Sequence, residues 1–279
     1  MVNRKELDPE SSPRAAFGAR LRSSREARGW KQEDLSLHMG ISSGHISGVE
    51  TTRKMPSLRF AKAADMAFGV TDSAATFERQ WREMHQGSLL EGFPEYVGYE
   101  GRAVEIRLFE SGVIPGPLQT REYARALADC ALQRGDITPE QADERVDFLI
   151  ERQAALVRTP PPVLFAVLDE SCIRSPIGGP DVMAGQFARL IEFAGQPNTA
   201  FQIAPFAMGG RKPFRRLVHL LTLSDRSLMS YVESQTHGYL DRELSSVVPL
   251  MRNYHQLQVE AASQAESVDM IEQLRKGTM

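Results

Sequence analysis

The stretch Gly40-Ile41-Ser42-Ser43-Gly44 has the spacing G-x-S-x-G, in which a serine on a sharp strand-to-helix turn serves acyl transfer as a nucleophile. That chemistry needs a buried strand before the serine, a helix after it, and a histidine and an acid alongside. "QEDLSLHM" precedes Ser42 instead, with Leu35 and Met39 four residues apart and Glu33 and Asp34 at its start, the pattern of a helix. Nothing in the sequence around the six histidines singles one out as a base. Ser42 therefore reads as a helix cap. Asp169 and Glu170 follow an apolar run as a catalytic pair would, but no partner base or metal-ligand spacing accompanies them, and they read as structural. "GGRKPFRR" at 209–216 lacks the Gly, Lys, Ser/Thr order of a phosphate-binding loop and reads as an exposed turn. Cys130 and Cys172 form no C-x-x-C pair and read as buried thiols. No catalytic residue, metal site or cofactor is expected, and the chain does not read as an enzyme.

What Gly40 and Ser42 serve becomes visible over Gln32–Thr51. Two short helices, Gln32–Met39 and Ser43–Glu50, joined at Gly40, fit a helix-turn-helix. Such a unit needs apolar residues where the helices meet, supplied by Leu35, Met39, Ile41, Ile46 and Val49. It also needs a small residue at their contact, Ser36, and a glycine for the turn. A helix from Ala15 to Gly29 precedes it, with Phe17, Leu21 and Ala27 among Arg20, Arg22, Arg25 and Arg28. Those arginines read as a solvated face rather than phosphate ligands. Another helix near Ser57–Phe68 follows, capped by Ser57 and closed by Gly69.

Charge divides the chain in the same place. Residues 1–70 hold 12 Lys/Arg against 8 Asp/Glu, a balance of +4, and the remaining residues hold 21 against 28, a balance of −7. A basic segment on an acidic body suits a polyanion partner for the first part alone. The 279 residues are 42% hydrophobic and 25% charged, an ordinary globular composition with room for two modest domains. No apolar run reaches the roughly 20 residues that span a bilayer, so no membrane association and a cytoplasmic location are expected.

The expected organisation is a flexible tail at 1–13, a helix-turn-helix DNA-binding domain at 14–72 and a second domain at 77–279. The boundary lies near residues 70–76. "TFERQWREMH" reads as a helix, and "EGFPEYVGYEGRAVEIRLFES" as a turn-rich stretch ending in a short strand. Helices follow at Arg121–Gln133 and Pro139–Val157, the second opened by a capping box of Thr138 and Gln141. "VLFAVLD", "TAFQIAPF", "RLVHLLTL" and "LMSYVES" read as strands, with a helix from Gly179 to Phe193 between the first two. The C-terminus returns to helix, divided by Pro249, with Leu250, Tyr254, Leu257 and Ala261 as a core stripe or a dimer face. The fold class is therefore an all-α helix-turn-helix domain followed by an α+β domain with a small, mostly antiparallel sheet.

"ARLRSSREARGWKQEDLSLHMGISSGHISGVETTRKMPS" resembles the Xre/Cro/C1-type helix-turn-helix family of bacterial regulators. "VIPGPLQTREYARAL", "RQAAL", "VLDESCIR", "IGGPDVMAGQFARLIE" and "YVES" resemble the C-terminal domain of antitoxin-like transcriptional regulators of high-G+C Gram-positive bacteria. The resemblance implies binding to double-stranded DNA, action as a homodimer, and control by a small partner protein encoded nearby. It implies a phosphate contact from Gln32, a groove-facing helix carrying Ser42, Ser43, His45 and Ser47, and backbone contacts from Arg53 and Lys54. Gly44 and Gly48 fall at groove-facing positions where relatives carry longer side chains, so readout through Ser43, His45 and DNA shape is expected. His45 is open to a second reading as a merely exposed side chain. The segment "VIPGPLQTREYARAL" is a candidate partner contact or an ordinary buried connector. Two other functions fit the same chain, a small-molecule sensor with a pocket in the C-terminal domain and an enzyme fused to a DNA-binding module.

Overall fold

The computed structural model describes residues 8–9, 12–71, 75–84 and 89–277. The chain divides into two compact units, Met1–Gly87 and Ser88–Met279.

The first unit is built from helices α1 (Pro13–Glu26), α2 (Gln32–Met39), α3 (Ser43–Glu50), α4 (Leu58–Phe68) and α5 (Phe77–Met84). Local signals set their ends. The Ser12 and Ser57 hydroxyls accept from Ala15 N and Phe60 N at 3.1 Å, while Gly40 and Gly69 terminate α2 and α4 with φ of 63° and 64°. Phe17, Leu21, Leu35, Ile46, Val49, Phe60, Phe77 and Trp81 fill the core. At Gly18 a Cβ would lie 2.6 Å from Val49 O, so the absence of a side chain lets α1 approach α3 this closely. The sequence reading starts the second domain at residue 77, but α5 belongs to the first unit. The Asp65 carboxylate accepts from Phe77 N and Glu78 N at 2.6 and 2.9 Å, and Trp81 Nε1 donates to Pro56 O at 2.6 Å. Of the tail expected at 1–13, residues 1–7, 10 and 11 lie outside the described residues, and Pro13 already opens α1.

The second unit runs α6 (Phe93–Glu100), β1 (Glu105–Glu110), a 3-10 turn at Gly116–Leu118, α7 (Arg121–Gln133) and α8 (Pro139–Leu156). It continues through β2 (Val163–Asp169), α9 (Ser171–Arg174), α10 (Pro180–Ala194) and β3 (Thr199–Ala204). It ends with β4 (Val218–Thr222), β5 (Leu228–Glu233), β6 (Gly238–Asp241), α11 (Leu244–Glu260) and α12 (Gln264–Arg275). The six strands form one sheet in the order β3-β2-β1-β4-β5-β6. The β1–β2 and β2–β3 pairs are parallel, and the other three pairs are antiparallel. This is the α+β class with a mostly antiparallel sheet.

Both faces of the sheet are covered. Ile106, Leu108, Ala166, Leu168, Phe201 and Ile203 join residues of α6, α7, α10 and α12 in one core. Phe109, Val167, Leu220, Val247, Tyr254 and Leu257 form a second core beneath α11. Two-sided burial is why "VLFAVLD" is continuously apolar rather than alternating. The outer edge of β3 is closed by the segment leading into α12 and by the helix itself. Phe201 N donates to Gln264 Oε1 at 3.0 Å and Ile203 N to Ser267 Oγ at 2.9 Å, while Ile203 O accepts from Ala262 N at 2.9 Å.

Four expectations change. The turn-rich stretch before β1 contains α6, and a sixth strand, β6, lies beyond β5. Pro249 lies inside α11 instead of dividing it, and the break comes at Ala261. Cys172 is buried as expected, but Cys130 is exposed.

Candidate functional sites

The helix-turn-helix brings most of the sequence-predicted residues onto α3 and the turn after it. Ser42 is the N-cap, its hydroxyl accepting from His45 N at 3.4 Å. Ser43 and Ser47 are half-buried, and Ser42 and Gly44 are exposed. Arg53 Nε donates to Thr51 Oγ1 at 2.9 Å and its terminal nitrogen reaches Ser47 Oγ at 3.4 Å, so this exposed guanidinium lies across the hydroxyls of α3. Gly48 is not groove-facing. It is buried beneath Lys54, and a Cβ there would lie 2.8 Å from Lys54 Cγ. The Lys54 ammonium is thereby carried on a stem packed against α3 while the residue remains exposed.

His45 turns toward α4. Its ring stacks on Phe60 with centroids 5.4 Å apart, and its buried Nε2 makes no hydrogen bond among the described residues. Burial, reinforced by the Lys54 charge, holds the imidazole below its ordinary value, so the ring is neutral at pH 7. Gln32 faces inward too, Nε2 donating to Glu50 Oε2 at 2.7 Å.

Arg20, Arg22 and Arg25 of α1 are not a solvated face. Arg25 clamps Glu50 through Nε and Nη2 at 2.6 and 3.0 Å and donates to Trp30 O at 2.8 Å. Arg22 donates to Glu50 O at 2.9 Å, Arg28 to Phe68 O at 2.5 Å, and Arg20 to Gln80 Oε1 at 2.9 Å while lying over the Phe77 ring. Arg20, Arg22 and Arg25 tie α1 to other elements of its unit, and the exposed Arg28 ties the turn after α1 to α4, because each guanidinium finds a carbonyl, a carboxylate or an amide oxygen within reach.

In the second unit lies a cavity of about 610 Å3, within the size range of small-molecule sites. Phe93, Ile114, Pro115, Leu149 and Leu217 supply apolar wall, and Glu110, Arg152, Arg216, His219 and Glu233 supply polar groups. Val113, Arg216 and Gln235 are exposed, which puts the mouth beside them. The segment proposed as a partner contact, "VIPGPLQTREYARAL", forms part of this wall through Val113, Ile114, Pro115, Gly116 and Gln119.

Behind the wall runs a buried polar chain. Arg152 donates to both oxygens of Glu100 at 2.6 and 2.7 Å. Tyr96 OH donates to Glu100 Oε1 at 2.6 Å and lies 2.9 Å from His219 Nδ1, and His219 Nε2 lies 3.1 Å from Glu110 Oε1. Against burial, which opposes ionisation, the Arg152 guanidinium holds Glu100 below the ordinary carboxylate value. Burial raises Glu110, His219 offsets part of this, and Glu233 adds to it. Sequence reading missed these residues because they come from separate elements. One signal was present, a histidine inside the apolar run "RLVHLLTL", since a polar side chain on a buried strand requires partners.

Asp169 and Glu170 are structural anchors. Asp169 accepts from Lys212 Nζ at 2.5 Å and Glu170 from Phe206 N at 2.6 Å, fastening the loop after β3 to the end of β2. Lys212 of the basic loop is thus committed to an ion pair. Among the described residues, no group of three or more His, Cys, Asp or Glu could hold a metal ion. No helix there is long and apolar enough to cross a membrane.

A tight two-helix unit with a capped second helix defines a helix-turn-helix regulator that binds DNA, and residues 16–76 match a family model described as a helix-turn-helix domain. Residues 93–273 match the family described as a domain of unknown function (DUF5753), and the chain belongs to that family. No curated protein and no solved structure matches it.

Proposed function

We propose that this DNA-binding regulator is controlled through its C-terminal unit by a small molecule held in the cavity. The observation that carries this reading is the cavity itself, with apolar walls and polar groups converging from β1, α8, β4 and β5. On the DNA side, α3 offers Ser42, Ser43 and Ser47 to the duplex, with Arg53 and Lys54 on the backbone. Gln32 offers phosphate its remaining amide hydrogen. His45, neutral and stacked on Phe60, supports α3 from behind. Short hydroxyl side chains favour reading through backbone contacts and DNA shape. A homodimer fits this, because one helix-turn-helix reads few base pairs and two sites a DNA turn apart give useful selectivity.

A second reading, an antitoxin-like regulator governed by a small protein encoded nearby, is favoured by a surface on α11. Leu244 and Val248, one turn apart, are 59% and 45% exposed. Either input shifts DNA affinity only by its differential binding to the two states, and DNA shifts the input's affinity equally.

The test is selection of duplex sequences by the full chain, followed by anisotropy titration with and without the neighbouring gene product or a cavity ligand. The expected result is a two-half-site footprint whose affinity changes with one input. Absence of duplex binding at low salt would refute the regulator reading, and an affinity indifferent to both inputs would refute the control.

A further inference from the structure

The hydrogen-bond chain behind the cavity fixes where its protons lie. Arg152 has donors only, so both Glu100 oxygens accept from it, and Tyr96 must give its single hydrogen to Glu100. The Tyr96 oxygen can then only accept from His219, which places a hydrogen on Nδ1. Nε2 of a neutral His219 would present a lone pair to Glu110 Oε1, 3.1 Å away. That contact holds when one proton is shared by Glu110 and His219, so the pair as a whole is neutral. Arg152 is likewise neutralised by Glu100. The remaining carboxylate on the wall is Glu233, which accepts from Tyr231 OH at 2.8 Å and makes no ion pair among the described residues. Glu110 is 6% exposed, and its second oxygen takes no hydrogen bond from the described residues. Among the described residues Arg216 is the unpaired cation on this wall, but it is exposed at the mouth, where water screens it.

From this arrangement we infer that the cavity takes a small organic cation, a protonated amine on an apolar body, held between Glu110 and Glu233. An ammonium offers up to three hydrogens to the free carboxylate oxygens, and its carbon frame lies against Phe93, Ile114 and Leu149. An aromatic ring in the wall suits a cation as well as a carbon frame, since Phe93 already carries the Arg152 guanidinium at 5.1 Å from its centroid. An anion would enter beside the uncompensated Glu233 carboxylate and find Arg152 already matched. This inference deepens the small-molecule reading above and rests on it for its regulatory meaning, but its test needs no DNA.

Three probes of nearly equal shape separate the charges: 2-phenylethylammonium, 2-phenylethanol and phenylacetate, titrated calorimetrically into the full chain at neutral pH. The cation is expected to bind about tenfold tighter than the alcohol, with the anion weakest. Glu233→Gln, which leaves the buried chain intact, should abolish the preference for the cation over the alcohol, and thermal melting checks that this variant folds. Equal binding of the three, tighter binding of phenylacetate, no binding by any of them, or a preference that survives Glu233→Gln overturns the inference. Cation binding that leaves DNA affinity unchanged would instead refute the regulatory reading and leave the cation site standing.

Discussion

Each unit buries one arginine clamped in two places on a glutamate, and the two pairs end differently. In the first unit, Arg25 and Glu50 are closed in by Gln32 and Arg22, with every arm spent on α1, α2, α3 and the turn between. In the second, Arg152 and Glu100 pass their polarity on through Tyr96 and His219 to Glu110, and the chain stops at a cavity wall. A closed pair can only hold helices together. An open-ended one leaves a carboxylate oxygen for something else to satisfy.

The largest expected effect would show that both pairs carry their units. Arg25→Met and Arg152→Met each leave a buried carboxylate uncompensated and should cost about 3–5 kcal/mol, read by chemical denaturation. Loss of less than about 1 kcal/mol from either would show that its glutamate can reach water. Gly18→Ala comes next, because the new methyl meets Val49 O at 2.6 Å. It should destabilise the first unit by about 1–3 kcal/mol with no change in the cavity's affinity for 2-phenylethylammonium.

Ser42→Ala should cost on the order of 1 kcal/mol of stability by removing the α3 cap, with no effect on ester hydrolysis. Arg53→Ala with Lys54→Ala should lower affinity for all duplexes and flatten the salt dependence by about one unit per lost phosphate contact. An unchanged salt slope would take both residues out of the interface.

The smallest effect is the one that most sharpens the contrast. The folded-state value of Glu110 is raised, so its contribution to stability is full below the ordinary carboxylate value and is lost as pH rises through the folded value. Glu110→Gln should therefore match the parent near about pH 4 and be the more stable protein at pH 7. Glu100 lies on the opposite side of its ordinary value, and its contribution is lost as pH falls. Melting curves across pH check both. A Glu110→Gln difference that does not grow with pH would mean that His219 fully compensates the carboxylate.

Much of the fold was legible because local signals agreed. Helices α2, α3 and α7 keep their expected bounds, where Gly40, Ser42 and Thr120 mark the ends. Helix α6 escaped notice because "FPEYVGYE" carries a proline and a glycine, which suggest a turn when its burial of Pro94, Tyr96 and Glu100 is unknown. Pro249 did not divide α11 because its neighbours Ser245, Ser246 and Val248 are exposed, so the freed carbonyl can meet water while Val247, Tyr254 and Leu257 anchor the helix. The inward turn of the α1 arginines and the cavity depend on which elements meet, and no local pattern of charge or period encodes that.

The closed edge of β3 has a further consequence. A strand with bare amides on its outer side invites another chain to add to the sheet, and here Gln264 and Ser267 occupy the positions a neighbouring strand would take. The last helix thus works as a plug against polymerisation. A chain shortened before Ser263 would keep every strand, yet it would present an adhesive border, and light scattering would record growing particles where the intact chain gives none.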